Sequence, residues 1–173
     1  EVYATLSRIY MSRCYLDSNG FPNPFDARYA SGGGHFARTP EWFQANDTEG
    51  CRIMFLYEFE KVIGFALYYT KADFFPGFAA DVLHFREISG MVLAYTYLFT
   101  LLPGYERRGY GRLLINRMRT DCWEQGCTAL AHEVFVLPLV NAASVGFHQS
   151  LCEDIGAINT GTVGTHDLDR PSG

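Results

Sequence analysis

The segment from Met91 to Leu114 constrains this chain more than any other. Residues Met91–Leu102 form its longest apolar stretch, with Thr and Tyr as its only polar members. A membrane span needs about 20 such residues, so a stretch of this length reads as a buried strand. Directly after it comes Leu102-Pro103-Gly104-Tyr105-Glu106-Arg107-Arg108-Gly109-Tyr110-Gly111-Arg112-Leu113-Leu114. Leu114, Met118 and Cys122 then recur at i, i+4, i+8, which predicts a helix over Gly111–Gly126 with Gly126 as its stop. A strand, a short glycine-bearing loop and a helix therefore follow in series. The first turn of a helix exposes unpaired N–H groups and carries partial positive charge. Glycine lets an anion approach that backbone because no Cβ intrudes.

The charge pattern points the same way. Arg107, Arg108, Arg112, Arg117 and Arg119 are five of the 14 basic residues, packed together with no acidic residue among them. Elsewhere the chain is acidic, with 19 Asp and Glu and a formal charge of −5. One basic knot at a helix start on an acidic protein suits a polyphosphate. The segment lacks the Gly-Lys-Ser/Thr of a P-loop and the Gly-x-Gly-x-x-Gly of a Rossmann fingerprint near a first strand. The acidic balance argues against general nucleic-acid binding and favours a cationic substrate. With 48% hydrophobic and 19% charged residues the chain is not disordered.

The rest of the chain supplies a mixed α/β pattern in one domain, residues 1–173. Val2–Leu16 has roughly helical spacing. Asp17–Pro40, with Asn19-Gly20, Pro22, Pro24 and Gly32-Gly33-Gly34, reads as a mobile loop, either a plain surface excursion or a cover for the substrate. Cys51–Phe59 and Val62–Thr70 form a hairpin, and Lys71–Ala80 is a second loop. Thr128–Leu137 is a strand, Asn141–Leu151 a short helix, and Ile155 onward a final strand pair. The polar tail His166–Gly173 has no strand pattern. Five cysteines (Cys14, Cys51, Cys122, Cys127, Cys152) with no Cys-x-x-Cys pair argue against a disulfide framework or a zinc site. No signal peptide is recognised, so a cytoplasmic location is the simple expectation. The chain opens on Glu1, which leaves open whether residues precede it.

Three stretches carry a family resemblance. Glu106-Arg107-Arg108-Gly109-Tyr110-Gly111 resembles motif A of the GNAT superfamily of N-acetyltransferases, Gln/Arg-x-x-Gly-x-Gly/Ala, with Glu at the first position. Asn141-Ala142-Ala143-Ser144-Val145-Gly146-Phe147-His148 resembles the Asn-x-x-Ser-x-x-Phe-Tyr/His helix of that family. Cys152-Glu153 stands where Gly-Phe is common. Val62–Tyr69 is more loosely similar to a strand of the spermidine/spermine acetyltransferase branch. The similar region runs from about Cys51 to Gly156, behind an N-terminal helix and loop region, 1–50.

The resemblance implies a GNAT-like fold: a mixed, mostly antiparallel sheet, splayed between the Met91–Leu102 and Thr128–Leu137 strands, with flanking helices. Acetyl-CoA would lie in the splay as co-substrate. Main-chain groups of Phe99, Thr100 and Leu101 would pair with the pantetheine. Amides from Arg107, Arg108, Gly109, Tyr110, Gly111 and Arg112 would hold the pyrophosphate, and Asn141 and Ser144 would flank the pantetheine arm. His148 stands where many relatives carry a Tyr acid, and a histidine titrating near neutrality could serve. Tyr97 stands where polyamine-acetylating relatives carry a Glu base and cannot replace it. Glu133 is the first substitute, with Glu87 and His84 next. His132 adjoins Glu133 on the opposite sheet face. Attack by an already neutral amine would need no dedicated base. No metal site is implied.

The acceptor implied is a primary amine of a small molecule, polyamine-like or amino-acid-like, with no nucleic-acid or membrane partner and a homodimer as one option. Two other readings stand beside it. One is a protein lysine or N-terminal acetyltransferase, since motif A is also similar to that of MYST-type enzymes, although their zinc finger is absent. The other is a non-catalytic acyl-CoA-binding module.

Overall fold

The computed structural model describes residues 1–23, 25–31, 33–34, 36–71, 91–132 and 141–155. Chain order is α1 (Val2–Met11), a 3-10 turn (Ala27–Ser31), α2 (Pro40–Asn46), β1 (Cys51–Glu58), β2 (Lys61–Tyr69), β3 (Leu93–Leu101), α3 (Tyr110–Glu124), β4 (Ala129–His132) and α4 (Ala142–Ile155). The sheet order is β1-β2-β3-β4. The first three strands are antiparallel neighbours, and β4 joins β3 in parallel.

Both faces of the sheet are covered, which is why β2 is buried along nearly its whole length. On one face Ile63, Ala66, Tyr68 and Ala94 pack with Leu114, Ile115, Met118 and Cys122 of α3 and Leu151 of α4. On the other, Phe65, Leu67, Tyr69 and Tyr95 pack with Leu6, Ile9 and Tyr10 of α1 and Phe43 of α2. A buried carboxylate ties α3 down. Asp121 accepts two hydrogen bonds from Arg52 at 2.6 and 2.7 Å and one from the Tyr68 hydroxyl at 2.6 Å. Helix α3 ends as its glycine predicts. Gly126 has φ 82°, its N–H reaches the Trp123 carbonyl at 2.9 Å, and the Cys127 N–H reaches that of Cys122 at 3.0 Å.

Strand β3 is not regular. Its register against β2 slips between Leu67↔Leu98 and Tyr68↔Thr96, leaving Tyr97 as an extra residue. The consequence is visible in the packing. Ala94 lies in the α3-side cluster, Tyr97 and Leu98 both lie on the α1 side, and Phe99 and Leu101 return to the α3 side. This is a β-bulge: it re-aims every side chain beyond it. The β3–β4 pairing runs from Leu93↔Ala129 to Thr96↔His132, where the described part of β4 ends, and β3 continues to Leu101.

Two sequence expectations are corrected. Asp17–Pro40 is no free excursion. Leu16 bridges Pro22, and the fully buried Tyr29 donates from its hydroxyl to the Gly34 carbonyl at 2.8 Å. The same segment leads into α2, which the periodicity does not predict. Its local signal is Thr39-Pro40: the Thr39 hydroxyl accepts from the Trp42 N–H at 3.2 Å and proline opens the first turn. Glu133, Glu87, His84, the loop Lys71–Ala80 beyond its first residue, and the expected final strand pair lie outside the described residues. Among the described residues, no helix is long and apolar enough to cross a membrane, and no group of three or more His, Cys, Asp or Glu is placed to hold a metal ion.

Candidate active site

The bulge in β3, the turn after it and the start of α3 build one continuous backbone surface. Phe99, Thr100 and Leu101 lie beyond the bulge. A Cβ on Gly64 would stand 2.5 Å from Leu101 Cδ2 and 2.8 Å from the Thr100 carbonyl oxygen, so glycine is what lets β2 approach this closely. The turn then reverses sharply. Gly104 has φ 86°, Arg107 φ 59° and Gly109 φ 83°. Left-handed backbone at Arg107 costs a non-glycine residue about 1 kcal/mol or more, and such strain clusters at functional sites.

Gly109 is the N-cap of α3 and offers no side-chain acceptor to the first turn. That turn holds no acidic residue. The amides of Tyr110, Gly111 and Arg112 therefore face outward without a capping side chain, an anion-binding arrangement. A Cβ on Gly111 would come within 3.3 and 3.4 Å of the Phe147 ring and 3.8 Å of Phe99. Phe99 and Phe147 stack with centroids 5.7 Å apart. Strand β3, helix α3 and helix α4 thus meet at one glycine. Arg112 adds a hydrogen bond from Nη2 to Ser150 Oγ at 3.1 Å. The Tyr110 side chain turns back to the hairpin, where its hydroxyl donates to the Glu58 carboxylate; that bond raises the phenol pKa. Arg108 lies 5.6 Å over the Tyr105 ring.

The departure at Glu106 has a structural counterpart. Its carboxylate accepts from Arg13, 93 positions away, and from the Gly104 N–H at 2.7 Å. Arg13 and the Gly104 and Glu106 backbone hold the carboxyl below its usual range against the opposing effect of burial. No spacing in the sequence signals this pair. Only the anomaly at the first motif position invites the search for it.

Helix α4 carries the remaining expected residues. Asn141 Oδ1 accepts from the Ser144 N–H at 3.0 Å, so the two residues together cap and aim α4. His148 lies on the α3 side of the sheet against His132 of β4, with ring centroids 4.5 Å apart. Burial pushes His148 down to about 4, and burial together with His148 pushes His132 down to about 3. The expectation that His148 titrates near neutrality is therefore corrected: both imidazoles stand neutral at neutral pH. The cysteines whose side chains are described, Cys14, Cys51, Cys122 and Cys127, are free. Burial raises their thiols, to about 11 for Cys14 and Cys51 and about 12 for Cys122. Such thiols are poor nucleophiles.

The sequence profile of the acetyltransferase (GNAT) family matches residues 24–152. The chain belongs to the GNAT acetyltransferase family. It is an acetyl-CoA-dependent N-acetyltransferase, and its sheet and helices have the GNAT arrangement. Among solved structures, this GNAT chain is similar to the ribosomal-protein-S18-alanine N-acetyltransferase from Escherichia coli, at 19% identity and TM-score 0.56, over 86% of this chain and 69% of that one. It is also similar to an aminoglycoside acetyltransferase from an uncultured soil metagenomic sample, solved with sisomicin, at 16% identity and TM-score 0.54, over 84% of each chain. An aminoglycoside N-acetyltransferase in complex with CoA matches at 14% identity and TM-score 0.52, over 73% of this chain and 82% of that one. No curated protein matches the chain.

Proposed function

We propose that this acetyltransferase moves the acetyl group of acetyl-CoA onto a primary amine of a small molecule, by direct attack within a ternary complex. The observation that carries the reading is the start of α3. A helix with no capping side chain and no acid in its first turn, entered through strained backbone and carrying Arg107, Arg108 and Arg112 in and around that entry, is complementary to a pyrophosphate. The amides of residues 107–112 hold that group, and the re-aimed main chain of Phe99, Thr100 and Leu101 runs beside the pantetheine. Asn141 and Ser144 act by fixing the direction of α4.

In the transfer, a C–N bond forms at the thioester carbonyl and the C–S bond breaks. The amine gives up a proton and the departing sulfur gains one. His148 serves from its neutral form: its imidazole N–H donates a hydrogen bond toward the sulfur, and the adjoining His132 ring keeps it in place. Glu133 is the base of this reading. The acidic balance of the chain and the Val62–Tyr69 resemblance support an amine that arrives as a cation.

The test is thiol release from acetyl-CoA with polyamines, amino acids, aminoglycosides and lysine peptides as acceptors. Release with one class of free amine supports the reading. Release only with peptides replaces it with a protein acetyltransferase. A thermal shift with acetyl-CoA but no release with any acceptor overturns it, the acceptor then lying outside these four classes.

A further inference from the structure

The α1 face of the sheet holds a cation that the reaction described so far does not use. Arg38 sits between α1 and α2 with its backbone fixed: its carbonyl accepts from Ser7 Oγ at 2.8 Å and its N–H reaches Met11 Sδ at 3.5 Å. Its guanidinium lies over two rings, with Cζ 4.1 Å from the Trp42 centroid and 5.2 Å from that of Phe36. Its Nε is buried and has no hydrogen-bond partner. None of the ion pairs among the described residues includes it. Arg52 pairs with Asp121, and Arg13 and Arg28 also have carboxylate partners; Arg38 has aromatic faces instead. A planar, flanked guanidinium with no carboxylate is preorganised for a bidentate anion.

Its position relative to the bulge gives this cation its meaning. Trp42, under Arg38, is 5.6 Å from the ring of Tyr97. Tyr97 is the extra residue of β3, two positions before the re-aimed main chain. Tyr97 also has Tyr95 at 6.0 Å and Tyr69 at 6.3 Å. The series Arg38, Trp42, Tyr97 thus leads along the α1 face to the bulge, while α3, α4 and the arginine loop occupy the other face. An acceptor arriving beside α2 meets the half-buried rings of Trp42 and Tyr97, with Tyr95 and Tyr69 buried in the core beneath them and the Arg38 guanidinium at the end of the series.

We infer that Arg38 is a specificity-determining residue of the acceptor site, and that the acceptor is a primary amine bearing a carboxylate. This rests on the small-amine reading above and narrows it: of the polyamine-like and amino-acid-like alternatives it selects the second. The net negative charge of the chain draws in the ammonium, and Arg38 sorts the arrivals by their acid group. Arg38 acts by holding substrate and takes no part in proton transfer.

The test measures kcat/KM for alanine and lysine, each against its α-carboxamide, and for cadaverine, by thiol release from acetyl-CoA. An amino acid is expected to exceed its carboxamide, and cadaverine, by about 10- to 100-fold, the value of one hydrogen-bonded charge contact. In Arg38→Met, which keeps the stacked volume without the charge, that preference collapses through KM for the acceptor, while KM for acetyl-CoA is unchanged. Arg38→Lys keeps the charge without the planar fork and retains part of the preference, and it decides the matter if the Met variant does not fold. Carboxamides or cadaverine turned over as well as the amino acids, or a preference that is undiminished in Arg38→Met or in Arg38→Lys, overturns this inference and leaves the small-amine reading intact. Release with aminoglycosides or other acid-free amines alone does the same. No release with any free amine overturns both.

Discussion

A carboxylate at the head of a phosphate-binding turn is electrostatically awkward, and Glu106 shows how one residue's charge is absorbed by another's. Arg13 meets it from beyond the end of α1, and the Gly104 N–H holds its second oxygen. The pair is partly exposed, so its value in stability is small, within about 1 kcal/mol. Its effect falls on the cofactor loop instead. Removing Arg13 exposes a negative charge beside the site proposed for the pyrophosphate. Arg13→Ala is expected to raise KM for acetyl-CoA about two- to fivefold, more at low salt than at high. Adding Glu106→Gln to that variant is expected to restore KM. Steady-state kinetics of the single and double variants at two ionic strengths check this, and a double variant as impaired as Arg13→Ala would rule it out. A buried hydroxyl gives a second test at this scale. Tyr68→Phe removes one of three hydrogen bonds on Asp121 and is expected to cost about 1–2 kcal/mol. Calorimetry would read that as a fall in Tm of about 2–8 °C for a domain of this size.

Helix α3 depends on what its glycines admit at either end. At its start, Gly111 is the contact point of three elements, and a branched side chain there collides with Phe147. Gly111→Val is expected to unstack Phe147 from Phe99 and swing α4 away from the loop. Affinity for acetyl-CoA then falls about tenfold or more, while Gly111→Ala, which asks for a few tenths of an ångström, stays near wild type. Isothermal titration with CoA distinguishes the two. The helix and its glycines were legible in the sequence because both signals are local: apolar residues every fourth position, and glycine where the backbone turns left-handed. The bulge at Tyr97 was not. Met91–Leu102 is apolar on both faces, so its sequence carries no alternation from which a skipped register could be read. Helix α2 was legible in principle, through Thr39-Pro40, yet too short for a periodic pattern. Arg38 and Arg13 acquire their meaning only from partners that folding brings to them. His148 was identified from its motif, but its protonation was not readable there, since burial against His132 is a tertiary fact.

That burial couples the active site to the stability of the whole molecule. An unfolded histidine titrates near 6.5, whereas in the folded chain His148 and His132 sit at about 4 and about 3. Between those limits the unfolded chain binds more protons than the folded one, so acid favours unfolding. The contribution is fully present above pH 6.5 and is lost as pH falls toward 4. Carboxylates cannot mimic this over most of the range, because their ordinary value is 4.5 and that of Glu106 is lowered further. The window from pH 6.5 to about 4.5 therefore reports histidines, and among the described residues His148 and His132 each contribute a slope of up to about 1.4 kcal/mol per pH unit. Urea midpoints measured at pH 7, 6 and 5 should fall progressively. His148→Phe, which fills the same space without a titrating group, should give a shallower slope whatever it does to stability at pH 7. An equal slope in wild type and variant would mean that His148 is not held neutral by the fold. The same experiment bears on the reaction. A histidine that stays neutral down to pH 4 puts no ionisation of its own into kcat/KM between pH 6 and 8. The acid limb in that range then belongs to the acceptor's ammonium or to the base, and it should move with the pKa of the amine supplied.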